Sequence, residues 1–89
     1  MLERSFKMVD PLGLHARPAG GLVKVAKPFQ SDINLVTSEP VSLKSLIKVL
    51  SLGISAGTEF RIQTSGEDEA QAMEAVAAAL VSEGLAEEI

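Results

Sequence analysis

The sequence predicts an α+β chain. It reads as an open-faced β-sandwich, a four-stranded antiparallel sheet with three helices on one face, in the order β-α-β-β-α-β-α. Apolar residues alternate in Leu2 to Val9 and again in Thr58 to Thr64, the period of a half-buried strand. They recur at helical spacing in Ala19, Leu22, Val23 and Ala26, and again in Met73, Val76, Ala77 and Leu80. Short turns rich in Pro, Gly and Ser separate these stretches.

Taken in order, the first strand sets Arg4, Phe6 and Met8 on one face and Glu3, Ser5 and Lys7 on the other. Asp10-Pro11-Leu12-Gly13 is a turn-rich loop that delivers the chain to His15. The first helix begins at Ala16 and Pro28 closes it. Pro18 lies in its first turn, where a missing N–H forfeits no intrahelical bond. Gly20 and Gly21 are unexpected there, each costing roughly 1 kcal/mol against Ala. They mark either tight packing or an open surface beside His15 for a partner.

Ser31 to Thr37 reads as the second strand, with Ile33 and Leu35 inward. Ser38-Glu39-Pro40 turns the chain into a brief third strand, Val41 to Leu43, which Pro40 places near an edge. Ser45 is a natural N-cap for a short helix through Leu52, and Gly53 stops it. Thr58 to Thr64 is the fourth strand. Glu67, Asp68 and Glu69 supply an acidic first turn to the last helix, and Gly84 lies just past its end. The acidic tail from Glu83 to Glu88 reads as solvated surface.

At 89 residues there is room for one domain, 1–89, with one modest core and no repeat, linker or low-complexity segment. Without cysteine there is neither a disulfide framework nor a thiolate metal site. The first residues lack a signal-peptide layout, and no apolar run is long enough to span a bilayer. A cytoplasmic protein without membrane insertion is expected. A net charge of −4 argues against nucleic-acid binding, and three Phe with no Trp or Tyr leave little for base stacking.

The chemistry concentrates at Leu14-His15-Ala16-Arg17-Pro18-Ala19, which holds the only histidine. A lone histidine is ordinarily structural, but a core residue would not sit between a Gly-containing loop and Arg17-Pro18 at a helix start. A metal site would need further ligands, and there is no second His and no Cys to supply them. A hydrolase triad would need a nucleophile and an acidic partner, which spacing cannot reveal. An imidazole attacks only as the neutral ring. The unpaired N–H groups and positive dipole end at a helix start oppose a charged ring. The N–H groups of Ala16 and Arg17 can then bond a phosphoryl group carried by His15. The Arg17 guanidinium can add a charge-assisted contact.

A second feature is the helix after Ser45. Leu46, Ile47, Val49, Leu50 and Leu52 make it apolar almost all round. Such a helix is either a plain core element or leaves apolar side chains for a partner. Partial exposure places Leu46, Ile47 and Leu50 on a docking surface, with Val49 and then Leu52 inward. No capping box completes the Ser45 cap, because Lys48 stands where Glu or Gln would be needed.

His15-Ala16-Arg17-Pro18-Ala19, together with Leu43-Lys44-Ser45 and Ser51-Leu52-Gly53, resembles HPr. This is the family of histidine-containing phosphocarriers of the bacterial phosphoenolpyruvate-dependent sugar phosphotransferase system. The likeness covers nearly the whole chain. It implies a carrier, without a cofactor, that takes a phosphoryl group on His15 Nδ1 from phosphorylated enzyme I. The group then passes to the A domains of sugar-specific enzymes II. Arg17 would orient the phosphoryl group, while Leu46, Ile47, Leu50 and Gly20 would meet the partners. The region around Ser45 resembles Gram-positive members, in which HPr kinase/phosphorylase phosphorylates the equivalent serine. The seryl-phosphorylated form there joins a catabolite-control transcription factor as corepressor. A carrier that exchanges partners is best served as a monomer. The chain departs from the family at Lys48, which replaces a usual glycine, at Gly20-Gly21, which replace bulkier residues, and in the short Ser38-Glu39-Pro40 turn. An alternative from another class is a regulatory binding module that acts through Ser45 without histidine phosphotransfer.

Overall fold

The computed structural model describes residues 1–89. The elements are β1 (Leu2–Met8), α1 (Ala16–Ala26), β2 (Asp32–Val36), β3 (Pro40–Ser42), α2 (Leu46–Ser51), β4 (Glu59–Ser65), α3 (Glu69–Ser82) and β5 (Ala86–Glu88). They form one antiparallel sheet ordered β3-β2-β4-β1-β5. The seven elements expected from the sequence are all present, with ends shifted by a few residues.

Strand alternation decides which face the helices cover. Phe6 and Met8 of β1, Ile33 and Leu35 of β2, and Phe60 and Ile62 of β4 point to the helical side and are buried. Phe6 lies opposite Phe60, their rings stacked with centroids 5.8 Å apart. Helix α1 contributes Ala19, Leu22, Val23 and Ala26 to this core, and α3 contributes Ala72, Met73, Val76, Ala77 and Leu80. The opposite face is polar apart from Val36. There Gln63 Nε2 donates to Glu3 Oε2 at 2.6 Å, and Arg61 stands 3.8 Å from the same carboxylate.

The expectation of four strands needs correction, because the sheet has five. Part of the tail read as solvated surface is β5, which pairs with β1 through Phe6–Glu88, Lys7–Glu87 and Met8–Ala86. Leu85, just before it, and Ala86, its first residue, are buried. Three residues reading Ala-Glu-Glu carry neither alternation nor strand propensity, so β1 and the core impose the pairing. Arg4 then clamps the edge. Its Nε donates to Glu88 Oε2 at 2.8 Å, its Nη2 to Glu88 Oε1, and its Nη1 to Glu74 Oε1 of α3 at 3.1 Å. No helix is long and apolar enough to cross a membrane.

Candidate functional site

The loop between β1 and α1 is built by its own polar groups. Asp10 Oδ1 accepts the Leu12 N–H at 2.9 Å, and the Asp10 carbonyl accepts the Gly13 N–H at 2.9 Å. This Asx-type turn agrees with the Asp-Pro-Leu-Gly sequence. Leu14 then anchors the loop: its side chain is buried, and its N–H donates to the Ile54 carbonyl at 2.9 Å.

His15 follows as the N-cap of α1, with extended backbone (φ −112°, ψ 179°) and a side chain that makes no capping bond. The ring is therefore spared for other work. The first helical bond runs from the Ala19 N–H to the His15 carbonyl at 3.0 Å. Neither the Ala16 nor the Arg17 N–H donates to an acceptor of the chain, and Pro18 has none to offer. The half-buried His15 lines an open cleft of about 280 Å³ together with Arg17, Pro18 and Gly21. Arg17 is exposed and forms no ion pair, so its guanidinium is available to an anion. Asp10 and Glu83 also line the cleft. The sequence reads Asp10 only as a turn residue and Glu83 only as solvated surface, so neither stands there as a site residue. Asp10 could have been found from its turn, whereas Glu83 arrives only through the packing of α3 beside α1.

Gly20 and Gly21 have nothing within 4 Å of where a β-carbon would stand. Close packing does not require them, so they leave an open surface in the first half of α1.

Ser45 caps α2 as the sequence indicates, its hydroxyl oxygen accepting the Lys48 N–H at 3.4 Å. The helix is neither wholly buried nor wholly free. Val49 is buried, Leu46 is partly exposed, and Ile47 is 83% exposed. Leu50 differs in degree from the expectation of a surface residue: it is half-buried and packs against the core. At about 3.6 residues per turn, Leu50 lies between buried Val49 and exposed Ile47 around the helix, so it keeps one side against the core. No cluster of His, Cys, Asp or Glu groups three side chains for a metal ion.

These features define a small α+β carrier-like domain with an accessible histidine at the start of a helix. Residues 2–82 match the family model described as the PTS HPr component phosphorylation site. The chain is 46% identical over 88 residues to the phosphocarrier protein HPr of Lysinibacillus sphaericus, covering 98% of this chain and 100% of that one. It superposes on the histidine-containing phosphocarrier protein of Mycoplasma with a TM-score of 0.92 and 36% identity, covering 94% of this chain and 97% of that one. An HPr from Thermoanaerobacter tengcongensis superposes with a TM-score of 0.85 and 33% identity, over 94% of each chain. The chain belongs to the HPr family of phosphocarriers of the phosphotransferase system.

Proposed function

We propose that this chain carries a phosphoryl group on His15 between phosphorylated enzyme I and the A domains of sugar-specific enzymes II. The observation that carries this reading is a half-buried His15 at the start of α1, next in the chain to the free N–H groups of Ala16 and Arg17. The Nδ1 lone pair attacks phosphorus as the bond to the donor breaks, and the reverse exchange hands the group to the acceptor. The free N–H groups and the Arg17 guanidinium hold the phosphoryl oxygens throughout. Catalysis here is positioning and charge, with the partner proteins supplying the rest.

Docking falls to Leu46 and Ile47, with Leu50 at their base and Gly20 on α1. Each encounter must be short, which suits a small interface of modest affinity. Ser45 is the regulatory site. A phosphate at the N-cap is tolerated by α2 but sets a dianion beside the apolar docking residues, deterring enzyme I. The seryl-phosphorylated form would be made by HPr kinase/phosphorylase and would serve a catabolite-control transcription factor. The chain works as a single-domain monomer in the cytoplasm.

The test is incubation with phosphoenolpyruvate and enzyme I, followed by mass spectrometry. One added phosphate that acid removes is expected on the wild type and none on His15→Ala. An unlabelled wild type sinks the carrier reading, and an equally labelled His15→Ala misplaces the site.

A further inference from the structure

We infer that Gly13, wedged against the backbone of Ile54 and Ser55, and Asp10, which closes the turn before it, are positioning residues for phosphoryl transfer at His15. The inference rests on the reading of His15 as the phosphoryl acceptor. Gly13 adopts φ +69°, a conformation that glycine takes freely and L side chains rarely adopt. A β-carbon there would overlap the Ile54 carbonyl oxygen and stand 2.9 Å from Ser55 Cα. Both obstacles are backbone, so no flexible side chain can give way. The same Ile54 carbonyl accepts the Leu14 N–H at 2.9 Å.

Two residues before His15 the chain is thus pressed onto the segment that leaves α2. On its other side the loop is tied by the two bonds from Leu12 and Gly13 to Asp10. His15 makes no capping bond of its own, so its side chain contributes no hydrogen bond to fixing its place. The place of His15 at the start of α1, next in the chain to the free Ala16 and Arg17 N–H groups, is inherited from the loop. Because Ile54 lies just beyond α2, the docking helix and the nucleophile share one rigid seat. A partner that grips α2 thereby meets His15 at a set distance, which is what in-line transfer needs.

The test compares Gly13→Ala, Asp10→Ala and Asp10→Asn with wild type in labelling by phosphorylated enzyme I, each at a temperature where circular dichroism shows it folded. Gly13→Ala should lower kcat by about tenfold or more with KM nearly unchanged. On phosphorylation its Ala16 and Arg17 amide resonances should shift less than in wild type. Gly57→Ala is the control, since Gly57 also has positive φ (+89°) but nothing within 4 Å. It should lose stability yet keep its kcat. Asp10→Ala should lower kcat, and Asp10→Asn, whose amide oxygen can still accept the Leu12 N–H, should restore it. That pair decides the matter should Gly13→Ala not fold. A wild-type kcat in folded Gly13→Ala, or in Asp10→Ala, overturns the inference while leaving the carrier reading intact. An unlabelled wild type overturns both.

Discussion

Asp68, the residue before α3, reaches Ser31 at the entrance to β2. Its carboxylate accepts the Ser31 hydroxyl, the Ser31 N–H at 2.9 Å and the Gln30 N–H at 2.9 Å. Ser31 is buried, and Gly66 packs so tightly on it that a β-carbon there would stand 2.6 Å from the Ser31 hydroxyl oxygen. One side chain therefore fastens the start of the last helix to the second strand.

The fastening is pH-dependent. The Ser31 hydroxyl, helped by the Gln30 and Ser31 amides, holds the Asp68 carboxyl below its ordinary value. A depressed folded value means that the stabilisation is present above the unfolded value, near 3.9, and is lost as pH falls through the folded one. Thermal melts of the wild type should lose stability below about pH 4. Asp68→Asn should melt lower at neutral pH and show a shallower acid slope. Equal slopes would remove Asp68 from the account.

Glu88 sets a second acid-sensitive contact. The hydrogen bond from Arg4 holds its carboxyl below the usual range, so the clamp on β5 releases as pH falls. Arg4→Ala should leave the rest of the sheet intact while the Ile89 amide, bonded to the Ser5 carbonyl at 3.0 Å, exchanges faster with solvent. Hydrogen exchange read residue by residue checks this.

Adjacent faces of α2 should respond differently. Val49→Ala empties core volume and should cost on the order of 2 kcal/mol in denaturant unfolding. Ile47→Asp, at an exposed position, should scarcely change Tm but should raise KM for enzyme I. A destabilised Ile47→Asp with unaltered KM would return α2 to a purely structural role.

Gly21→Ala has room for its methyl and should stabilise α1 by up to about 1 kcal/mol, raising Tm by about 4–8 °C. Gly20→Ala should stabilise it likewise and, where Gly20 meets the partner, raise KM for enzyme I. Paired melts and steady-state labelling separate the two effects.

Ser45→Asp places a negative charge at the start of α2 beside Leu46 and Ile47. Labelling of His15 should slow through a higher KM with the fold intact. An unchanged rate would refute the docking-patch explanation of regulation.

Local pattern carried most of this molecule. The 3.6-residue stripes of α1 and α3, the alternation in β1 and β4 and the Ser45 cap are properties of neighbouring residues, and periodicity reports them directly. The turn residues before His15 and Pro18 just after it likewise marked where the helix begins. What the tertiary structure alone decided involves residues far apart in the chain. The strand Ala86–Glu88 exists because β1 offers an unpaired edge and Arg4 a guanidinium, neither of which is written into Ala-Glu-Glu. Leu50 is half-buried because the core beneath α2 reaches it, and Gly20 and Gly21 are open because nothing packs over them. The wedge of Gly13 on Ile54 joins two loops 41 residues apart in the numbering, a proximity that only the folded sheet creates. Side-chain period is a one-dimensional signal, whereas contact between distant segments depends on how the faces it defines come together.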